Sequence, residues 1–310
     1  MDRVQWMFTV LLLLACAGLF GQTTQPVAQQ TIRQKDLPDI PASQLVREAV
    51  KNEVAANDSP AKHIFCSRKR TAKGSQTKLY VETNEAMAGM LVAANDQPLT
   101  AQEKQGEINH LFWLQGSPEQ LRKKRAREKE DAEHTLRIVK ALPEAFRYQY
   151  AGMENGAPGL GRDGAPLVRL KFMPNPAYSP PSHVEQVLEG MEGYLLIDPA
   201  SKRLARIDGT LFKEVTFGWG IVGHLDKGGH FRVQQADLGD GTWDITEMNL
   251  DIKGKIFFVK SLSMVSDEVF SDFHRVADDL TFAQGVKMLQ VEEEKRAHDA
   301  PEPSEKKAAQ

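Results

Sequence analysis

Two stretches carry the glycine spacing of a phosphate-cradling turn, Gly159-Leu160-Gly161-Arg162-Asp163-Gly164 and Gly218-Trp219-Gly220-Ile221-Val222-Gly223. That spacing holds a pyrophosphate only where it joins a strand to a helix, so that the helix N-terminus meets the phosphate. The first lies between Pro158 and Pro166 and the second runs into a hairpin pattern, so both read as turn or packing glycines. Eight histidines are scattered along the chain, none in HExxH or another ligand spacing. His224 and His230 flank the Asp226–Gly229 turn, where a hairpin would set them near each other and Asp226; two ordinary strand histidines are the simpler reading. Ser59-Pro60-Ala61-Lys62 matches SxxK by count but sits at a helix end, and no GxSxG occurs. Asp198, Asp208, Asp226 and Asp240 fall in turns, where a carboxylate caps backbone N–H groups. The expectation is therefore no catalytic residue, no metal, no cofactor and no enzyme.

The surrounding elements are more legible. Val46, Val50 and Val54 recur at helical spacing, with Leu45 and Ala49 on the same face, and predict a helix at 42–56. His63–Arg70 and Thr77–Thr83 predict strands joined at Lys73-Gly74-Ser75, with a third apolar stretch at 87–94. Thr100 and Glu103 form a capping box that opens a helix ending at Gly116, and Ser117-Pro118 starts a second one running to about Leu142. The middle of that second helix, 122–133, mixes six basic with four acidic residues and reads as a solvated arm carrying i,i+4 pairs.

From Phe146 onward, short alternating runs are separated by tight turns, as in Val168-Arg169-Leu170-Lys171-Phe172 and in Met248, Leu250 and Ile252. This predicts an antiparallel meander with one wet face. Residues 151–166 read as a glycine-rich loop or hairpin tip. Within 173–190, Ser182 and Glu185 mark a second capping box, opening a short helix with Val184, Val187 and Leu188 turned inward across one end of the sheet. Residues 291–310 are charged, poor in apolar residues and expected to be disordered.

The 310 residues are 41% hydrophobic and 26% charged, with a net charge of −3 and two cysteines. This composition excludes collagen, full-length disorder and a multi-pass membrane protein, and two cysteines build no disulfide framework. Near-balanced charge provides no global attraction for nucleic acid, and none is expected as a partner. Residues 1–21 read as an export signal: Arg3 precedes an apolar run from Trp6 to Phe20, shorter than the roughly 20 residues that span a bilayer. Residues 22–41 form a flexible leader. Leu13-Leu14-Ala15-Cys16 resembles the lipobox of bacterial lipoproteins, so two outcomes stay open: cleavage near residue 21 to a periplasmic protein, or lipid anchoring through Cys16. The other cysteine, Cys66, reads as a small buried hydrophobe in a strand.

An exported helix at 42–56, a strand hairpin at 63–83 and a long meander resemble, in that order, the periplasmic outer-membrane lipoprotein carriers and lipoprotein-sorting proteins, the LolA/LolB-like group. The closest stretch is Gly193-Tyr194-Leu195-Leu196-Ile197-Asp198-Pro199 through Arg206-Ile207-Asp208-Gly209, continued by Phe217-Gly218-Trp219-Gly220 and Gly228-Gly229-His230-Phe231. The resemblance implies an α+β fold at 42–290 built as an open half-barrel, to which the helical hairpin at 101–142 is an addition. It implies binding of lipid or lipoprotein acyl chains without catalysis, and places outer-membrane lipoprotein sorting among the roles to test. The concave apolar face would then draw on Tyr194, Leu196, Phe217, Trp219, Phe231, Trp243 and Phe257, under a lid at 173–190 carrying Val184, Val187 and Leu188. The alternative is an envelope interaction protein of the same fold with a filled core, docking on a protein partner through the arm at Arg122–Lys129. Transient contact of the chain with a membrane surface is compatible with either reading.

Overall fold

The computed structural model describes residues 37–58, 61–217, 223–256 and 260–299. The export segment with Cys16, most of the leader, Trp219, Phe257 and residues 300–310 lie outside the described residues. Helix α1 (Ala42–Asp58) follows the expected apolar stripe, with Leu45, Val46, Ala49 and Val50 buried. Strands β1 (His63–Thr71), β2 (Gly74–Val81), β3 (Ala88–Ala94) and β4 (Gln97–Pro98) come next. Strand β2 starts inside the turn expected at 73–75, because Thr71 pairs directly with Gly74 and Ala72-Lys73 suffice as the loop. Asn95 and Asp96, at φ 52° and 60°, take the left-handed conformation that a two-residue hairpin turn requires.

Helix α2 (Ala101–Gln115) opens on the expected Thr100/Glu103 capping box, and α3 (Pro118–Ala145) leads into β5 (Phe146–Asn155) and β6 (Pro166–Pro174). Strand β5 takes the first five residues of the segment expected as a loop or hairpin tip, leaving 156–165 as the tip of the β5–β6 hairpin. That turn folds back on the sheet, where the Gly161 N–H donates to the Gln235 carbonyl at 2.8 Å. The remaining elements are α4 (His183–Gln186) with a 3-10 turn (Val187–Gly190), β7 (Met191–Asp198), β8 (Arg203–Leu211), β9 (Val215–Phe217), β10 (Gly223–Leu225), β11 (His230–Asp237), β12 (Trp243–Ile256), β13 (Lys260–Arg275) and α5 (Phe282–Asp299).

The strands form one antiparallel sheet in the order β4-β3-β2-β1-β13-β12-β11-β8-β7-β6-β5, with the β9–β10 ribbon attached to β12. Strands β4 and β5 end this path without pairing to each other, so the sheet is open. The architecture is α+β, as expected. Helix α5 corrects the expectation of a disordered tail from 291, since residues 291–299 are helical. Phe282, Val286 and Leu289, at i, i+4 and i+7, bury its first half, and Arg296 holds the charged second half through Glu292 and Asp272 at 3.0 and 2.9 Å.

Two sets of helices cover the two faces. On one, α2 and α5 seal the β1–β3 end, with Leu111, Phe282, Val286 and Leu289 packed on Ile64, Cys66, Leu79, Val81 and Met90. Cys66 is the buried strand residue expected, and burial pushes its thiol up. Gly285 permits this contact: a Cβ there would lie 2.7 Å from the Thr83 methyl. On the other face, α1 and the C-terminal half of α3 pack over β5–β8. Phe65 and Tyr80, which alternate with Ile64 and Leu79, also belong to this inner face and meet Val233, Met248 and Phe270.

Candidate functional site

Between the inner face of the sheet and helices α1, α3 and α4 lies a cavity of about 1160 Å³. Its floor follows from strand alternation. Ile207, Val233 and Met248 lie side by side across β8, β11 and β12; Phe231 faces Leu250, and Ile252 faces Met264 on β13. Phe217 and Leu225 extend the floor onto β9 and β10. Phe231 pairs with Gly209, where a Cβ would fall 2.3 Å from its ring, so this glycine lets the ring sit against the backbone. Beyond the cavity, β13 turns polar. Next to Met248 lies Glu268, fully buried, accepting from the Ser67 hydroxyl at 2.5 Å and the Lys69 ammonium at 3.0 Å.

Helix α3 and the α4 turn form the roof. Ile138, Val139 and Leu142 come from α3; Val184, Val187 and Leu188 come from the segment expected as a lid, and all three line the cavity. Ser182 differs from the expected capping box: its hydroxyl accepts from the Val184 N–H at 3.2 Å and donates to the Glu185 carboxylate.

The middle of α3 is not the free arm that its charge suggested. Leu121, Lys124, Glu128, Asp131, Thr135, Ile138 and Leu142 form a half-buried to buried stripe at helical spacing. Leu121 packs beside the β1–β3 core and Leu142 in the β5–β8 core, so the helix crosses the cavity mouth from one to the other. The Glu128 carboxylate accepts from the Met87 N–H at 3.1 Å and pairs with Lys124 at 2.7 Å. Burial pushes this carboxyl up despite both contacts. Arg127, Glu130, Asp131 and His134 form the polar rim above the apolar floor.

Two polar ties close the ends. Arg203 on β8 makes a bidentate pair with Glu53 of α1 at 2.8 and 2.9 Å, and the same carboxylate accepts the Leu204 N–H. At the far end residues 241–244 line the cavity, and Asp240 before them is held 3.2 Å from the Nε2 of buried His63. Burial raises the Asp240 carboxyl, but the Thr242 hydroxyl and N–H and the His63 ring outweigh it and hold it at about 2.

Of the expected concave-face residues, Phe217, Phe231 and Trp243 line the cavity. Tyr194 and Leu196 do not. Tyr194 lies on the outer surface, 36% exposed, beneath the Arg169 guanidinium, and Leu196 packs with Leu160, Leu167 and Ala205. Their neighbours Leu195 and Ile197 face inward instead, because Leu195-Leu196-Ile197 is apolar on both sheet faces and alternation cannot choose between them. Sequence reasoning missed the α3 roof, although Ile138 and Leu142 have helical spacing. It also missed Ile207, Val233, Met248, Leu250 and Ile252, of which the β12 set was visible as alternation.

The other chemical motifs lie elsewhere. The first glycine-rich match is a turn with no helix after it, and Gly223 of the second opens strand β10. His224 and His230 pair with different carboxylates, Asp226 at 3.2 Å and Asp208 at 3.1 Å, because β10 and β11 meet β12 at successive stretches rather than each other. Glu214, His224 and Asp226 bring donor atoms within 4.8 Å of one another outside the cavity. Among the described residues, no helix is long and apolar enough to cross a membrane.

No protein-family model matches this chain, and no curated protein matches it. The solved structures that show a remote likeness include two of known description. A DUF1329 family protein from Desulfovibrio piger is 9% identical over 81% of this chain and 99% of its own, with a TM-score of 0.30. MucB in complex with MucA(peri) is 7% identical over 76% of this chain and 99% of that one, with a TM-score of 0.20. Similarity this low leaves the contents of the cavity to be argued from its own walls.

Proposed function

We propose that this protein is an exported, non-enzymatic binding protein that holds an acyl chain, of a lipid or of a lipoprotein, between the sheet and the α3–α4 roof. The observation that carries the reading is the cavity itself. At about 1160 Å³ it exceeds the roughly 300–1,000 Å³ typical of small-molecule pockets. Its floor carries apolar side chains from Ile207 on β8 to Met264 on β13, and most of its charged lining residues lie at the rim and ends. Each buried methylene contributes about 0.8 kcal/mol, so a long chain gains affinity without fixed polar partners. A filled-core interaction protein has no use for this volume. Outer-membrane lipoprotein sorting is the finer role to which such binding would belong, and the expected export segment at 1–21 supports an envelope setting, periplasmic or lipid-anchored.

Mass spectrometry of organic extracts from natively purified protein tests the reading. The expected result is a stoichiometric acyl lipid, reduced at least tenfold by Val233→Trp, which fills the centre of the floor. Lipid-free protein that also fails to bind an added fatty acid would overturn it.

A further inference from the structure

The α2–α3 corner exposes a pair of aromatic residues that the core does not use. Phe112 and Trp113 are 50% and 53% exposed, and the Trp113 ring stacks on His110 with centroids 5.7 Å apart. Around them the outer side of α2 is nearly uncharged: Lys104 turns to Glu293, and Glu107 accepts the Leu91 N–H at 3.1 Å. Directly after the corner, α3 carries its basic run. Lys123, Lys124 and Lys129 pair with Glu119, Glu128 and Glu133. Arg122, Arg125 and Arg127 are exposed and, among the described residues, form no ion pair. Of the acidic residues in 122–133, Glu128 and Asp131 lie on the half-buried stripe and Glu133 is paired, which leaves Glu130 exposed at the rim. One helical hairpin thus presents exposed aromatics followed by a surplus of unpaired arginines.

We propose that this hairpin docks on an anionic lipid surface. Phe112 and Trp113 enter the boundary between headgroups and acyl chains, where amphipathic rings are favoured, while Arg122 and Arg125 meet lipid phosphates. Arginine suits that contact because its planar donors match phosphate oxygens in pairs. The inference stands on the hairpin surface and does not require that the cavity bind a lipid.

Co-sedimentation of the mature full chain with vesicles tests it, comparing phosphatidylglycerol/phosphatidylethanolamine with pure phosphatidylcholine at low and high salt. The expected result is binding to the anionic vesicles, weakened by salt and reduced about tenfold in Phe112→Ser/Trp113→Ser and in Arg122→Gln/Arg125→Gln. These positions are exposed, so both variants should melt as the wild type does and bind a fluorescent fatty acid as it does without vesicles. Wild-type protein that stays in the supernatant at every composition overturns the proposal, as do two variants that sediment like the wild type. A chain that ignores vesicles but cross-links through residues 122–129 to an envelope protein overturns it in favour of a protein partner. Val233→Trp separates the two readings: it should lose the fatty acid and keep the vesicles.

Discussion

The two ends of the sheet obey the same alternation and reach opposite results. At the β1–β3 end, α5 presents Phe282, Val286 and Leu289 as a continuous apolar stripe, Gly285 lets it approach the strands, and the layer is filled. Over β8–β12, the covering helix α3 presents Asp131, His134 and Thr135 before it reaches Ile138 and Leu142. Polar side chains cannot fill an apolar floor, because burying them without partners is costly. The space beneath them stays open, and a packed core differs from a binding cavity here mainly in the stripe of one covering helix.

Truncation should separate the ends most strongly. Phe282→Ala removes a ring enclosed on all sides and is expected to cost about 3–5 kcal/mol of unfolding free energy, read by urea denaturation, with acyl-chain affinity unchanged in the folded fraction. Phe231→Ala removes a ring that already borders a cavity. Its expected cost is about 1.5–3 kcal/mol, with a loss of fatty-acid affinity that Phe282→Ala does not produce. Equal stability losses with equal affinities would erase the distinction between the two ends.

The polar tie at the end of the cavity should respond to acid. Asp240 is held well below the ordinary carboxyl range, so its stabilising contribution is present above that range and lost as pH falls through about 2. Asp240→Asn is expected to cost about 1–2 kcal/mol at pH 7, after allowance for the solvent that reaches this carboxylate, and the difference should close at about pH 2. An unchanged gap across that window would remove Asp240 from the account. The smallest effect is expected at Glu128, with the opposite sign. Its carboxyl is pushed up in the folded chain, so its contribution favours the fold at low pH and weakens as pH rises through the folded value. Glu128→Gln should therefore gain on the wild type by less than about 1 kcal/mol between pH 5 and pH 8, read as the difference in urea midpoints.

The capping box at Thr100, the tight turns and the alternation on β11 and β12 were legible because each is local: a cap spans three residues and a strand has period two. Phe217, Phe231 and Trp243, expected from the resemblance, line the cavity, as do Val184, Val187 and Leu188. Tyr194 and Leu196 were misplaced because β7 is apolar on both faces, so parity depended on the tertiary structure. The roof was hidden for the opposite reason. The charges of α3 concealed an inward stripe whose polar members read as solvated until the sheet beneath them was placed. Helix α5 was missed because its apolar anchor lies before residue 291, and the charged segment after it is held by Arg296, Glu292 and a distant partner, Asp272.

Titration of a fluorescent fatty acid against wild-type protein and Val233→Trp tests the central claim most directly. Saturable binding at one site per chain, weakened at least tenfold by the filled floor while the thermal midpoint is retained, is the predicted result. Absence of binding to the wild type, or equal binding to both proteins, would contradict it.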